Sequence, residues 1–263
     1  LLQMILHIGK QYLVDNDVKL ILDNDDYWKL PKDNPAYEYY KNHQSKDIKA
    51  SILIADEIWS PSAFLVEIMK EINPSAVYRV IPNTIHQKEE QWVDWEKDMP
   101  KDYKVRFGYL GANGHQKDLE QMGMTFEDHE LYCMGLMDYP EKLKAKYRMN
   151  PVDITQYAKL YKFFDVSLSP LKDSKFNKSK SELKVVEAGF TRTAIIASNV
   201  TPYKEVIKHG ETGILCDTPQ EWKEAVEGMT LPKAMRLGKN LYEYCKEHYD
   251  LSTINKLRLE GLS

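Results

Sequence analysis

The sequence has few cysteines, no long apolar run and no large excess of either charge. Its three cysteines, Cys133, Cys216 and Cys245, are odd in number and form no CxxC spacing. This excludes a disulfide framework and favours free thiols in a reducing compartment, so we expect a cytoplasmic protein. No apolar stretch approaches the length of a membrane span. A net charge of −4 gives no indication of nucleic acid or a membrane surface as the main partner, so we expect neither.

What the sequence does have is a regular alternation of strand and helix signals. Short apolar runs of strand length predict eight buried strands, at residues 18–22, 51–60, 77–81, 105–111, 130–135, 165–171, 193–198 and 213–216. Helical spacing predicts helices between them, among them 61–72 with Ser60 as N-cap, 155–163, 180–189 and 233–259. Such alternation is typical of an α/β protein with parallel sheets covered by helices on both faces.

The stretch from residue 165 to 198 is the most informative part of the chain. It reads as a buried strand, a polar loop with four lysines, an amphipathic helix and a second buried strand. The helical spacing places Lys180, Lys184 and Glu187 on one face. A strand, a cation-rich loop and a helix start are a common way to hold a phosphate. The alternative is a solvated, lysine-rich surface loop, and spacing alone does not separate the two.

Polar loops follow several of the predicted strands, at residues 111–117, 135–139, 172–181 and 198–203. Ligands of doubly wound sheets bind at the carboxyl ends of the strands, where these loops meet. Glycines admit the backbone close to phosphate, lysines neutralise its charge, and a carboxylate accepts hydrogen bonds from ribose hydroxyls. This edge of the sheet therefore suits a nucleoside diphosphate.

At this point the sequence resembles a known family. The segment KSELKVVEAGFTRTAIIASNVTPYKEVIKHGETGILCDTPQEWKEAV is similar to the donor-binding core of retaining GT-B glycosyltransferases, the glycosyl transferases group 1 family. VRFGYLGANGHQKDL resembles the first strand and turn of that lobe. The segment VIPN, residues 80–83, resembles the end of the lobe before it. LDNDDYWKLPKDNPAY resembles an acidic strand end in one branch of the family.

The resemblance implies a GT-B-like fold with two Rossmann-like, parallel-sheet lobes. We expect an incomplete acceptor-side lobe over residues 1–98, a donor-binding lobe over 99–235, and a helix over 236–263 that braces the first lobe. About 85 residues precede the predicted linker at 84–104. The first lobe would then lack its first strand, its glycine-rich loop and the histidine that often acts there.

The resemblance also implies roles for residues of the donor site. Glu187 matches the family's ribose-binding glutamate, and Lys184 is expected to act on the diphosphate as a catalytic residue. Lys180 and Ser181 are expected to contact the same diphosphate beside the start of the helix. Many relatives carry a second glutamate eight positions before the first, where this chain has Ser179. That contact to the donor sugar is altered or supplied in another way.

Further positions are expected around the transferred sugar and the base. The resemblance places Gly111 and His115 at the phosphates and the sugar, with His115 as a catalytic candidate. Gly135 and residues 149–152 are expected to lie near the nucleobase. Asp25 or Asp26 could contact an acceptor hydroxyl. Asp23-Asn24-Asp25 mimics a metal-binding DxD, but GT-B enzymes need no metal at the reaction centre, so we expect neither metal nor cofactor.

The expected function is transfer of a sugar from a nucleotide diphosphate donor to an acceptor, with retention of configuration. The partners would be a UDP-, GDP- or ADP-linked sugar and a glycan or lipid-linked acceptor. Two alternatives stay open. The short first lobe and Ser179 favour a non-catalytic module that binds a sugar nucleotide or a glycan. A sugar-nucleotide epimerase of the same architecture would act on the donor without any acceptor.

Overall fold

The structure, a computed structural model, describes residues 12–92, 104–111, 115–135 and 140–262. These residues form an α/β protein whose two sheets are both parallel, as predicted. They divide into two compact units. Unit 1 comprises the described residues up to 83 together with 174–181 and 256–262, and unit 2 comprises 84–173 and 182–255. The lobe bounds at residues 98 and 235 stay a prediction.

Nine strands are described. They are β1 (Ile21–Asp23), β2 (Glu57–Ser60), β3 (Val77–Val80), β4 (Arg106–Leu110), β5 (Glu130–Met134), β6 (Tyr147–Met149), β7 (Val166–Ser169), β8 (Ala194–Ser198) and β9 (Ile214–Cys216). The described α-helices are α1 (Tyr37–Tyr39), α2 (Ser45–Ile54), α3 (Ala63–Lys70), α4 (Gln116–Leu119), α5 (Lys175–Lys178), α6 (Leu183–Phe190), α7 (Pro219–Glu227), α8 (Leu231–His248) and α9 (Leu251–Leu262). A π-helical segment, Tyr40–Gln44, joins α1 to α2, and the longest 3-10 segment is Tyr157–Phe163.

Unit 1 is built on the three-stranded sheet β1-β2-β3, whose central strand is fully buried. The predicted strand at 51–60 is wrong in its first half, because α2 continues to Ile54. There the Ser51 hydroxyl donates to the carbonyl of Asp47 (3.0 Å), a bond made within a helix. The N-cap of α3 also differs from the prediction, since the hydroxyl of Ser62, not of Ser60, accepts the Leu65 N–H at 3.2 Å.

Unit 2 is built on a six-stranded sheet in the order β6-β5-β4-β7-β8-β9. This is the strand order of a doubly wound dinucleotide-binding fold, in which the order reverses between the first and fourth strands, here β4 and β7. All the strands of this sheet were predicted except β6. That strand is short and mostly exposed, so it carries no apolar run that a sequence pattern detects.

The core of unit 2 lies on both faces of this sheet. Along β8, Ile195 and Ala197 belong to one buried cluster and Ala194 and Ile196 to the other. The first cluster includes apolar side chains of α6, and the second includes those of α7. On β4, a Cβ added to Gly108 would lie 2.0 Å from the ring of Phe164. A side chain at position 108 would therefore displace that ring from the strand. Burial on both faces explains the continuous apolar strands.

The predicted helix at 233–259 is two helices. The backbone leaves helical geometry at Tyr249, and the carboxylate of Asp250 accepts the Ser252 N–H at 2.9 Å to begin α9. Thr230 caps α8 in a similar way, since its hydroxyl accepts the Lys233 N–H at 3.4 Å. The break follows from this local competition between a side chain and the helix backbone.

At the start of α7, the predicted capping box is present. The Thr218 hydroxyl accepts the Glu221 N–H (3.3 Å), and the Glu221 carboxylate accepts the Thr218 N–H (3.2 Å). We expect Thr218→Ala to lower the free energy of unfolding by about 1 kcal/mol, because one helix N–H loses its acceptor. Urea unfolding measures this, with the exposed Thr253→Ala as control. Equal losses in both variants would mean that the cap contributes nothing.

Candidate functional site

The carboxyl ends of β4 and β7 define the crevice of unit 2 in which a ligand is expected. The two strands are direct neighbours, with Phe107 opposite Val166 and Gly108 opposite Ser167. Because the strand order reverses here, the loops after β4 and β7 lead to opposite sides of the sheet and leave space between them. Residues 112–114 of the predicted glycine-rich turn lie outside the described residues, as do residues 136–139 after β5.

Two glycines predicted in the site meet at this edge. Gly135 has a left-handed φ of 84°, and a Cβ built on it would lie 2.6 Å from the carbonyl oxygen of Gly111. Its N–H donates to the carbonyl of Met149 at 3.1 Å, while the Gly111 N–H donates to Met134 at 3.2 Å. Only glycine fits position 135 without strain, so the backbones after β4, β5 and β6 approach closely. The sequence predicted that the two glycines lie at the same edge of the sheet, but not that they are in contact.

Helix α6 carries an ion pair that two tyrosines complete. The ammonium of Lys184 lies 2.9 Å from Glu187 Oε2 and donates a hydrogen bond to the hydroxyl of Tyr157. The hydroxyls of Tyr161 and Tyr157 donate to the same Oε2, at 2.9 and 3.3 Å. No described residue donates to the other oxygen, Oε1. The carboxylate is thus held through one oxygen, and the second stays available to a ligand.

The electrostatics of this cluster keep Lys184 charged and the two tyrosines neutral. Burial lowers the pKa of Lys184, but the Glu187 carboxylate and Tyr157 outweigh burial and raise it, so the ammonium stays protonated. Burial and the Glu187 charge raise the pKa of Tyr157 to about 12, and that of Tyr161 well above its usual value. Both tyrosines are therefore neutral hydrogen-bond donors at any ordinary pH.

His115 lies just before α4 and forms a pair with Asp118. Its Nδ1 is 2.7 Å from Asp118 Oδ2, and the other oxygen, Oδ1, accepts the backbone N–H of Lys172 at 2.8 Å. Lys172 belongs to the loop after β7, so this buried carboxylate joins the loops on the two sides of the crevice. His115 itself is partly exposed beside the described end of the glycine-rich turn.

The structure corrects the position of Lys180. Helix α6 begins only at Leu183, so Lys180 does not share a helix face with Lys184 and Glu187. A separate helix, α5, ends where the Ser179 hydroxyl donates back to the carbonyl of Lys175 at 2.8 Å. The single helix that the spacing alone predicted is therefore absent, because residues 179–182 separate α5 from α6. Lys180 and Ser181 fall in unit 1, where the Lys180 ammonium lies 4.6 Å from the ring centroid of Phe176.

Asp25 and Asp26 lie in unit 1, in the turn after β1. Partial burial, and then the charge of Asp26, raises the pKa of Asp25, while the charge of Lys180 lowers it. Lys180 therefore lies within electrostatic reach of the acidic turn. The acceptor-side role of the two aspartates stays a prediction.

Three site residues were missed by the reading of the sequence: Tyr157, Tyr161 and Asp118. The tyrosines are four residues apart, a spacing that places them on one side of the predicted helix at 155–163, although the segment is 3-10 in the structure. Asp118 follows His115 by three residues. Both spacings are visible in the sequence. The groups that these side chains contact, Glu187 for the tyrosines and the Lys172 N–H for Asp118, could be named only once the strand order was known.

Among the residues that the structure describes, no group of three or more histidine, cysteine, aspartate or glutamate side chains is placed to hold a metal ion. No helix in the described part of the chain is both long and apolar enough to cross a membrane.

Comparison with known proteins found a matching family model and solved structures of similar fold. The model of the family named glycosyl transferases group 1 matches one segment of the chain, residues 114–230. This segment contains the His115–Asp118 pair and all of α6. No curated protein matches the sequence significantly.

Solved structures of GT-B glycosyltransferases share the fold. The chain aligns with sucrose-phosphate synthase from Thermosynechococcus elongatus at 16% identity and a TM-score of 0.65, covering 96% of this chain and 69% of that one. Anabaena HepE, solved with UDP-glucose, gives 14% identity and a TM-score of 0.65, with 98% and 75% covered. TarM from S. aureus gives 11% identity and a TM-score of 0.63, with 92% and 50% covered. The predicted GT-B-like fold is confirmed.

Proposed function

We propose that this protein transfers a sugar from a nucleotide diphosphate donor to a hydroxyl acceptor, with retention of configuration and without a metal at the reaction centre. The observation that carries the proposal is the Lys184–Glu187 pair, whose carboxylate is held through one oxygen at the ligand-binding edge of a glycosyl transferases group 1 domain. HepE and TarM, solved with UDP-glucose and with UDP, support a nucleotide sugar as substrate.

In this proposal Glu187 and Lys184 have different tasks. The Oε1 atom of Glu187 accepts hydrogen bonds from the ribose hydroxyls, while the ammonium of Lys184 stabilises the negative charge of the diphosphate. As the bond between the sugar C1 and the phosphate oxygen breaks, its electron pair stays on that oxygen. The acceptor hydroxyl bonds to C1 from the same face and gives its proton to the departing oxygen. A fixed positive charge at the oxygen where negative charge develops is the main contribution expected from the protein.

Nucleotide binding tests the first half of the proposal. Thermal shift with UDP, GDP and ADP identifies the base, since a ligand that binds the folded state raises the melting temperature. Glu187→Gln should weaken the nucleotide affinity by about 10- to 100-fold, because a hydrogen bond to a charged group is worth about 1.5–3 kcal/mol. The control is Glu227→Gln, on the exposed end of α7. A panel in which no nucleotide stabilises the protein would contradict the proposal.

Turnover tests the second half. Release of the nucleoside diphosphate from UDP-, GDP- and ADP-linked sugars is measured with glycan and lipid-linked acceptors. Release only when an acceptor is present, with the sugar found on the acceptor, is the expected result. A changed donor sugar without any acceptor would instead indicate an epimerase.

A second candidate is a non-catalytic module that binds a nucleotide sugar or a glycan. Ser179 favours it, because this position, where many relatives have a glutamate, is fully buried and its hydroxyl donates to Lys175. Such a side chain cannot reach a donor sugar. Nucleotide binding without turnover in any donor–acceptor pair would select this candidate.

A further inference from the structure

Asp118 bonds to both sides of the described part of the crevice. Its Oδ2 meets His115 Nδ1 at 2.7 Å, and its Oδ1 accepts the Lys172 N–H at 2.8 Å. The His115 side chain is about a quarter exposed, whereas that of Asp118 is almost fully enclosed. The histidine is therefore the accessible member of the pair, and the carboxylate is the enclosed one.

We propose that Asp118 is a positioning residue that fixes the tautomer of His115, so that Nδ1 carries the proton and Nε2 is the nitrogen presented to the bound nucleotide sugar. This inference rests on the proposed function for its ligand, but the state of the imidazole is a property of the protein alone. A carboxylate has no hydrogen to donate, so an imidazole nitrogen bonded to it is a protonated one.

The second contact of Asp118 is what makes a carboxylate necessary. The Lys172 backbone N–H is always a donor, so the oxygen that faces it is committed. An asparagine at position 118 would keep its single carbonyl oxygen on that N–H and turn its amide NH₂ toward His115. The imidazole Nδ1 would then have to accept a hydrogen bond, and the neutral ring would carry its proton on Nε2. One isosteric change thus reverses the tautomer.

The surroundings of the pair include two buried tyrosines and the ammonium of Lys184. Asp118 acts electrostatically on Tyr109 and on Tyr203, and Lys184 acts on the same two hydroxyls. Burial raises the pKa of both tyrosines far above the usual value, so they stay neutral. Lys184 is the cation shared with the donor site. Asp118 and Lys184 accordingly act on the same small region of the crevice.

The test measures the tautomer directly. Nitrogen-15 NMR of the neutral imidazole distinguishes the two ring nitrogens, and the His115→Gln spectrum identifies the resonances of this histidine among seven. In the unaltered protein we expect the proton on Nδ1, and in Asp118→Asn on Nε2. Addition of the nucleotide that stabilises the protein in the thermal-shift experiment (UDP, GDP or ADP) should shift the Nε2 resonance.

A pair of substitutions at position 115 separates positioning from packing. In His115→Asn the amide nitrogen occupies the place of Nδ1 and keeps the bond to Asp118, but nothing replaces Nε2. In His115→Gln the amide nitrogen reaches the place of Nε2 without the bond to Asp118. We expect His115→Asn to melt at nearly the unaltered temperature yet to lose about 10-fold or more in turnover, and Asp118→Asn to lose a similar factor with little change in KM.

Each outcome decides a different claim. An imidazole that carries its proton on Nε2 in the unaltered protein, or an unchanged tautomer in Asp118→Asn, overturns the positioning role. Full turnover in His115→Asn overturns the role of Nε2. If the tautomer reverses as expected but no nucleotide shifts the resonance, the ligand assignment and the proposed function fail while the role of Asp118 toward His115 stands.

Discussion

Lys184→Met is expected to lower sugar transfer by at least about a hundredfold, because it removes the fixed charge from the oxygen on which negative charge develops. The nucleotide affinity should fall as well, since the ammonium binds the diphosphate before reaction. The matched control is Lys223→Met on α7, an exposed lysine 3.8 Å from Glu227. Initial rates and nucleotide titrations of the two variants provide the comparison. Equal rates in both would rule out a role for Lys184 in transfer.

The same substitution should also destabilise the fold. Without the ammonium, the buried carboxylate of Glu187 keeps only two tyrosine hydroxyls as partners. Breaking a fully buried pair costs about 3–5 kcal/mol. Because the Lys184 side chain is 30% exposed, water replaces part of the lost charge, and about 2 kcal/mol is expected.

A second variant keeps this stability loss apart from the chemistry. Lys184→Met combined with Glu187→Gln removes both charges, so it should recover most of the lost free energy of unfolding without recovering transfer. Transfer measured well below the melting temperature of each variant then reports on the charge alone. A double variant no more stable than Lys184→Met would indicate that the loss comes from packing of the lysine stem.

The sequence predicted those parts of the fold that local pattern determines. The buried strands β7 and β8 are covered on both faces, so each reads as an apolar run, and the capping box of α7 lies within four residues. Helix spacing brought Lys184 and Glu187 together, because a separation of three residues places them on one face. Local signals of this kind need no knowledge of the tertiary structure.

The rest depended on contacts between distant residues or on competition within short segments. The bond between Asp118 and the Lys172 N–H joins residues 54 positions apart and exists only because β4 and β7 are neighbours. Lys180 was misplaced because the periodicity of the sequence continues through the break between α5 and α6. The edge strand β6 lacks an apolar run, since edge exposure removes the need for one. For Asp118 and β6 the tertiary context decided the outcome, and for Lys180 the local backbone did.

A buried ionic cluster in unit 1 leads to the other large effect. Glu57 on β2 is 1% exposed, and its carboxylate accepts hydrogen bonds from Trp59 Nε1 and Arg79 Nε, each at 2.6 Å. The ammonium of Lys19 lies 2.5 Å from the second oxygen and also donates to the carbonyl of Gly261 at 3.3 Å. The cluster thus ties the end of α9 to the sheet of its own unit.

Glu57→Gln is expected to destabilise unit 1 by about 3 kcal/mol at neutral pH, the lower end of the range for breaking a buried pair. The lower end applies because Lys19 and Arg79 are both partly exposed. The amide can still accept hydrogen bonds from Trp59 and Arg79 through its oxygen, but its NH₂ would face the Lys19 ammonium. Hydrogen exchange of the β2 amides measures the loss locally. Glu67→Gln, at an exposed ion pair with Lys70, should change the free energy of opening by less than about 1 kcal/mol.

The loss at Glu57 should depend on pH with a definite sign. Burial raises the pKa of Glu57, but hydrogen bonds from Lys19, Trp59 and Arg79 outweigh burial and hold it below the usual value. A carboxyl whose pKa is lower in the folded state stabilises that state above its unfolded pKa of about 4.3, and this stabilisation disappears as the pH falls through the folded pKa. The difference between Glu57→Gln and the unaltered protein should therefore be constant from pH 7 to pH 5 and shrink in more acid solution. A difference that persists unchanged at pH 3, or one that grows there, would show that Glu57 is not held as a buried carboxylate.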